Sequence, residues 1–201
     1  CRGGKTSLQQ HLKTYKNMAC ELTKGRQLDC RDIMGGVKNI YFAQHEDATV
    51  TTGATGEVTD LDITTNLFKY ALPRGTASFT ETVQPSVENG TVFFEPSVNI
   101  MLHKMTVADR NELKLLAQNR LLVFVELQQV QGNGQNQIWC LGKENGLELS
   151  AGTTQSGAAF GDMVGYNLTF TGAESEPCLL VQSYTTTPFD NAGFTVTVTA
   201  S

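Results

Sequence analysis

The sequence predicts a mainly β protein, an antiparallel β-sandwich or barrel with one flanking α-helix at about residues 106–119. From residue 37 onward, short segments with apolar residues at alternating positions recur along the chain, separated by Gly, Asn and Pro. Only one segment has the apolar spacing of a helix. The chain has 201 residues, 40% of them hydrophobic and 17% charged, which is enough for one substantial core without a second domain.

The first strand is predicted at 37–43 (VKNIYFA), with Ile40 and Phe42 on its core-facing side. Residues 45–65 are polar, acidic and rich in Thr and Gly, which predicts a long hairpin or loop with little demand for a core. The segment 66–72 (NLFKYAL) predicts the next strand, which a proline and a glycine end.

Two further strands are expected on either side of the Asn89–Gly90 pair, a strong signal for a tight turn. In the first, Glu81 lies between Phe79 and Val83 on one face, so we expect that face to be only partly buried. In the second, Pro96 interrupts the apolar alternation and predicts an edge strand or a bulge.

The helix has a recognisable start and a single apolar stripe. Thr106 is a suitable N-cap residue, and Asp109 follows three positions later, as in a capping box. Leu113, Leu116 and Ala117 lie at the i, i+3, i+4 spacing that places side chains on one helix face. A helix of this length suits packing across a sheet.

The second half of the chain predicts more strands. Residues 121–130 begin with a nearly continuous apolar run, typical of a buried strand. We expect 137–142 and 147–150 to pair around the sequence KENG, and we expect strands at 177–182 and 193–201.

The stretch Ser156–Pro177 (SGAAFGDMVGYNLTFTGAESEP) combines a small-residue loop with a strand whose Tyr166, Leu168 and Phe170 alternate. Its glycines are spaced by four, but no helix follows, so the loop is not a phosphate-binding loop. The second strand face is polar and rich in Thr. We expect a loop that a neighbouring molecule orders, and strand edges that pair laterally with another sheet.

The chemistry-bearing residues do not form a catalytic or metal-binding pattern, so we predict no enzyme activity and no cofactor. The histidines are few and isolated. The cysteines are odd in number and lack C-x-x-C spacing, which favours free thiols in a reducing compartment over a disulfide framework or a zinc ribbon. They are Cys1, Cys20, Cys30, Cys140 and Cys178.

Two acidic pairs and one tryptophan leave alternatives open. Asp60 with Asp62, and Glu174 with Glu176, share a strand face at i and i+2, so either pair suits a weak calcium site or an acid and base. Solvated loop carboxylates are the commoner explanation. Trp139 suits a sugar-stacking platform in a glycan-binding β-sandwich, although packing is the commoner role for a tryptophan within a strand.

Charge and hydropathy exclude two classes of partner. The net charge of −5 gives no basic surplus for tight binding of nucleic acid, and no apolar run approaches the roughly 18 residues that span a bilayer. The basic residues 1–17 contrast with the acidic remainder of the chain. We expect Met18 to be the natural start and 1–17 an upstream extension, with a genuine basic arm as the alternative.

Two stretches resemble the tail tube (major tail) protein family of tailed bacteriophages. They are ELTKGRQLDCRDIMGGVKNIYFA near the start and SGAAFGDMVGYNLTFTGAESEP near the end, and the likeness spans most of residues 18–180. The positions that carry it, which the resemblance implies to be assembly-interface residues, are Cys30, Asp32, Gly35, Gly36, Lys38, Gly161, Asp162, Gly165 and Tyr166.

The resemblance implies a structural virion protein of the phage tail, assembled in the host bacterial cytoplasm. Subunits of this family share a β-sandwich with a flanking helix and form hexameric rings whose inner strands join into a continuous barrel. The rings stack through an N-terminal arm, here 18–36, and a long loop, here 45–65. Implied partners are further copies of the chain, the tape measure, terminator, baseplate or sheath proteins, and viral DNA that passes through transiently. A head decoration protein, tail terminator or baseplate part is the alternative virion role.

Overall fold

The computed structural model describes residues 24–28 and 33–200, and it divides into two compact units after Asp32. Residues 24–28 form neither helix nor strand, so every helix and strand described belongs to the second unit. The basic extension 1–17, the start at Met18, and Cys30 and Asp32 lie outside the described residues.

The second unit contains eleven described strands, one 3₁₀ turn at His45–Asp47 and one α-helix. The elements are β1 (Val37–Gln44), β2 (Ala48–Thr52), β3 (Val58–Ala71), β4 (Ala77–Ser86), β5 (Thr91–His103), α1 (Val107–Gln118), β6 (Leu121–Val130), β7 (Asn136–Leu141), β8 (Glu148–Gln155), β9 (Gly165–Thr171), β10 (Leu179–Leu180) and β11 (Phe194–Ala200).

The strands form two sheets, which confirms the predicted mainly β class with one helix. Sheet A has seven strands in the order β10-β7-β6-β1-β3-β11, with β2 also paired to β3. Sheet B has four strands in the order β4-β5-β9-β8. Every pair is antiparallel except β11 with β3, which run parallel.

The main core lies between the two sheets. Ile40 and Phe42 of β1 are fully buried there, as the alternation of the first strand predicted. Val98 of β5 and Phe170 of β9 meet them from sheet B, and the rings of Phe42 and Phe170 are 5.2 Å apart. Because sheet B contributes only alternate residues to this core, its other face remains free for another use.

A second core covers the opposite face of sheet A. Tyr41 and Phe124 point to this side, and Phe189 from the segment before β11 packs edge-on against both rings, at 5.1 and 5.2 Å. The first six residues of β6, Leu121–Glu126, are therefore buried on both strand faces, as their continuous apolar run predicted. The central strands of sheet A, β1 and β6, are thus covered on both faces.

The helix α1 begins where the sequence indicated. The Thr106 hydroxyl accepts a hydrogen bond from the Asp109 backbone N–H at 3.1 Å and donates one to the Asp109 carboxylate at 2.7 Å. This N-cap satisfies one of the free amides of the first turn. Leu116 is the buried residue of the helix. No helix in the described part of the chain is long and apolar enough to cross a membrane.

The expected long loop at 45–65 is instead a hairpin of β2 and the first half of β3, so the hairpin alternative is correct. The expectation of little core demand was wrong, since Val58, Leu61 and Ile63 are buried in the second core. The Thr and Asp residues that separate these three apolar residues make the segment look polar in the sequence. The strand expected at 66–72 is the continuation of β3 rather than a separate element.

The prediction that Pro96 marks an edge strand or a bulge was also wrong. β5 lies inside sheet B and pairs with β4 and β9 without a register shift. The nitrogen and the carbonyl of Pro96 both face Gly172, beyond the last residue of β9, and the carbonyl accepts from Gly172 N at 3.2 Å. The missing N–H therefore costs a single bond just past the end of β9, and the next pair, Phe94 with Glu174, makes both of its bonds.

The predicted pairing of 137–142 with 147–150 does not occur. β7 pairs with β6 and β10 in sheet A, whereas β8 pairs with β9 in sheet B. The chain crosses between sheets at Gly142–Gly146, where both glycines have positive φ, +81° and +77°. A Cβ at Gly142 would meet the Leu147 side chain at 2.6 Å, so the crossing requires glycine there.

Candidate assembly surface

Sheet B has two free edges among the described residues. Its outer strands are β4 and β8, and no described strand pairs with the far side of either. Each neighbouring pair in the sheet is antiparallel, so β4 and β8 run in opposite directions. Unpaired strand edges present rows of N–H and C=O groups that readily accept another strand.

The free edge of β4 carries outward N–H groups at known positions. Thr76 and Met101 lie opposite each other, and Met101 N donates to Thr76 O at 2.8 Å. In an antiparallel strand, the backbone N–H groups of successive residues point alternately towards and away from the partner strand. The N–H groups of Glu81 and Val83 therefore point away from β5. Pro85 occupies the next outward position, where a proline costs no ladder bond, as is typical of an edge strand.

The outer face of sheet B is polar and lacks cations. None of its four strands contains Lys or Arg. Neutral side chains interact across it, as when Asn99 Nδ2 donates to Thr169 Oγ1 at 3.3 Å. The acids on this face are Glu95, which accepts from Gln84 Nε2 at 3.1 Å, and Glu148. An anionic polymer in contact with this face would meet no Lys or Arg side chain.

The β4–β5 hairpin extends beyond the rest of sheet B, because β9 pairs with β5 from Ser97 onward and the last residue of β5 paired on that side is Phe94, with Glu174. Its outer half exposes apolar side chains: Val83 is 52% exposed, Val87 95%, Val92 56% and Phe93 42%. Exposed apolar groups clustered on one hairpin indicate a contact surface.

The loop between β8 and β9 is an ordered turn. The Asp162 carboxylate accepts hydrogen bonds from the backbone N–H groups of Ala158 and Ala159, at 2.8 and 2.7 Å. These bonds hold the pKa of Asp162 below its ordinary value. Phe160 is fully exposed at the apex, and Gly161 beside it is also exposed. The loop presents an aromatic side chain on a turn that its own residues hold.

Gly165 and Tyr166, two of the expected interface residues, are buried within the subunit. Tyr166 is 6% exposed and belongs to the main core. A Cβ on Gly165 would overlap the carbonyl oxygen of Leu102 on β5, so this position requires glycine for the strands to pair. The lateral pairing expected of this strand was wrong for β9, because β5 and β8 occupy both its edges.

Gly35, Gly36 and Lys38 lie at the start of β1 in the other sheet, and their surfaces are exposed. Gly36 has a φ of +113°, and its carbonyl accepts from Gln128 N at 2.9 Å. The structure therefore does not bring the described residues of the expected interface together, because they divide between sheets A and B.

Lys38 belongs to a polar network that the sequence reasoning missed. Its Nζ lies 3.0 Å from Oε1 of Glu126, a fully buried residue of β6. The other carboxylate oxygen accepts from Asn39 Nδ2 at 2.6 Å and from the Tyr41 hydroxyl at 2.9 Å. A buried charge requires such partners. Burial, and then Glu126, raise the pKa of Tyr41 far above its ordinary value, so its hydroxyl remains a donor.

Glu174 is buried, unlike the solvated carboxylates expected for the two acidic pairs, whereas Asp62 is exposed as expected. Glu174 is 6% exposed and accepts from the backbone N–H groups of Glu144 and Asn145 at 2.8 and 3.0 Å, which fastens the crossing between the sheets. Its neighbour Glu176 is exposed. Within the described residues, no group of three His, Cys, Asp or Glu side chains is placed to hold a metal ion.

Trp139 and the nearby cysteines form part of the packed interior. The Trp139 ring is partly buried against the main core, 6.3 Å from the ring of Phe79, which is the packing role rather than an open sugar platform. Cys140 and Cys178 are free thiols whose pKa values burial raises, so they are poor nucleophiles. The crevice beside them has a volume of about 10 Å³, room for one water.

The sequence did contain a signal for the free face of sheet B. No Lys or Arg occurs between Arg74 and Lys104, or after Lys143, and these two regions supply all four strands. Charge distribution along the chain, rather than a short motif, therefore marks this surface.

Comparisons with protein-family models, with curated proteins and with solved structures find no match to this chain.

Proposed function

We propose that the chain is a structural subunit of a phage tail tube, which forms hexameric rings that stack around a channel for DNA. The supporting observation is sheet B, which has two oppositely directed free edges and an outer face without cations. The hexameric symmetry and the tail itself come from the resemblance of the sequence to tail tube proteins.

The edges of sheet B suit closure into a ring. When copies are related by rotation about one axis, β4 of one copy meets β8 of the next. Since β4 and β8 run in opposite directions, this new pair is antiparallel, like every other pair in the sheet. A head-to-tail contact that closes leaves no free edge, so the ring removes the exposed edges of the subunit.

The outer face of sheet B then lines the channel. Lys and Arg bind DNA by neutralising phosphates, and each such contact adds affinity that depends on salt. A wall that carries Ser, Thr, Asn and Gln, with Glu95 and Glu148 as its acids, lets DNA pass without holding it. Sheet A, whose central strands are covered on both faces, forms the outer layer.

We expect the contacts between rings to involve a segment other than the long loop at 45–65 that the resemblance implied. The hairpin at 45–65 packs into sheet A and is not a free loop. The exposed apolar tip of the β4–β5 hairpin, 87–93, is the described segment best suited to reach an adjacent ring. Other tail proteins, such as the tape measure, terminator, baseplate or sheath, meet the assembled tube in the virion.

The free edge of β4 provides the test. Val83→Pro removes an outward N–H while leaving the ladder to β5 intact, so we expect a folded subunit that no longer assembles. Val83→Ile keeps the N–H and an apolar, β-branched side chain, and serves as the matched control. Sedimentation velocity over a concentration series measures assembly, and circular dichroism measures folding.

The proposal expects wild type and Val83→Ile to sediment as rings or longer assemblies, and Val83→Pro to sediment as a monomer with an unchanged β spectrum. Equal assembly by the proline variant would show that the β4 edge is not a contact. A wild type that stays monomeric across the series would contradict the proposal as a whole.

A further inference from the structure

A groove runs between α1 and the free edge of β8. Arg110, Leu113, Lys114 and Ala117 of α1 form one wall, and Leu149 and Gly152 of β8 form much of the floor. Its volume is about 320 Å³. We call it the α1–β8 groove. Gly152 contributes no side chain, and Ala117 is small and exposed, so the groove remains open beside an unpaired edge.

The groove lies on the core-facing side of sheet B. Leu149 and Gly152 are in register with Phe170 and Leu168 of β9, whose side chains enter the main core. A strand added outside β8 places every second side chain on this same side, beneath α1. In a ring of copies related by rotation, the core-facing sides of neighbouring B sheets lie on the same side of the wall that the sheets form. The core-facing side chains of a neighbour's β4 therefore point towards the groove.

The two surfaces match in apolar character and in charge. The core-facing row of β4 includes Val83, which is 52% exposed and continues the apolar face beyond the core of its own subunit. The β4–β5 hairpin contains acids and neither Lys nor Arg, whereas the groove contributes Arg110 and Lys114 and no acid. Opposite charges at a rim steer association and fix its register.

We propose that the α1–β8 groove of one copy receives β4 of a second copy, with Val83 under α1 and the acidic hairpin beside Arg110 and Lys114. This inference rests on the proposed function and adds to it a specific contact. The helix then has a role in assembly: it covers the junction between adjacent subunits on the side away from the channel.

The test fills the groove without touching the strand edges. Ala117→Phe places a ring in the groove, so we expect the concentration for half-assembly to rise about tenfold or more. Ala108→Phe is the matched control, because nine residues along an α-helix place it on the opposite face, where it is also exposed. Sedimentation velocity of wild type and both variants gives the three concentrations.

A second variant removes the charge match without adding bulk. Arg110→Glu with Lys114→Glu reverses the groove charge at two exposed positions, so folding is unaffected and assembly weakens. This variant keeps the inference testable if Ala117→Phe proves unstable. Thermal unfolding of each variant separates loss of folding from loss of assembly.

The outcomes separate the inference from the proposed function. Assembly by wild type and Ala108→Phe, with loss in both groove variants, supports the inference. If both groove variants assemble as wild type does, the inference is refuted while the tube proposal stands. Unchanged assembly with lower thermal stability would assign the groove to a segment of the same chain. A wild type that never assembles refutes the tube proposal and the inference with it.

Discussion

The hydroxyl of Tyr41 stabilises the only fully buried carboxylate among the described residues, and its removal has a calculable cost. In Tyr41→Phe, Glu126 Oε2 loses a donor at 2.9 Å but keeps Asn39 Nδ2 at 2.6 Å. The ring remains and still packs edge-on against Phe189, so no cavity forms. A hydrogen bond to a charged group contributes about 1.5–3 kcal/mol, so the free energy of unfolding should fall by about 2 kcal/mol.

Urea unfolding at neutral pH, followed by circular dichroism, measures this change. For a chain of this size, about 2 kcal/mol corresponds to a fall in Tm of about 4–8 °C. Tyr70→Phe is the matched control, because Tyr70 also packs edge-on against a phenylalanine, Phe42, but makes no hydrogen bond within the described residues. We expect the control to change stability by less than about 0.5 kcal/mol. Equal stability of the two variants would refute the role assigned to Tyr41.

Three further changes test the elements that position sheet B and the outer loops. Gly165→Ala should prevent normal β5–β9 pairing, because its Cβ would overlap the Leu102 carbonyl, and loss of the native two-dimensional NMR spectrum measures this. Glu174→Gln should cost about 2 kcal/mol and increase hydrogen exchange at 142–146, where Glu174 accepts two backbone N–H groups; unchanged exchange would contradict its role. Hydrogen bonds from the backbone hold the pKa of Asp190 well below its ordinary value, so its loop is stabilised above about pH 4 and loses that contribution as the pH falls through the lowered pKa. The protection of the amides that it caps, measured as the intrinsic exchange rate divided by the observed rate at each pH, should fall over that range in wild type, and Asp190→Asn should abolish this pH dependence.

Local sequence patterns predicted the positions of the strands and the helix better than they predicted which strands pair with one another. The alternation at Ile40 and Phe42, the apolar run of β6 and the Thr106 cap each depend on residues close in sequence, and each is confirmed. The interpretation of Pro96 was wrong because a proline is tolerated there only where β9 ends, and β9 lies far from Pro96 in the sequence. The crossing at Gly142–Gly146 was likewise invisible, since a turn between two strands and a passage between two sheets use similar residues.

The candidate surface was only partly accessible from sequence. The residues chosen by resemblance divide between two sheets, and Tyr166 is a core residue, because a short motif does not reveal which strand becomes an edge. The absence of Lys and Arg from 75–103 and from 144–201 was visible, yet its meaning depended on the pairing that unites these regions in one sheet. Burial of Glu126 also emerged only from the structure, although a lone acid ending an apolar run is an unusual feature.

Electron microscopy of the purified wild-type protein is the decisive experiment for the tube proposal. We predict hollow rings or tubes of uniform width, in which averaged images place sheet B around the lumen and sheet A outside. Particles without a channel, or rings in which sheet A lines the lumen, would overturn the proposal.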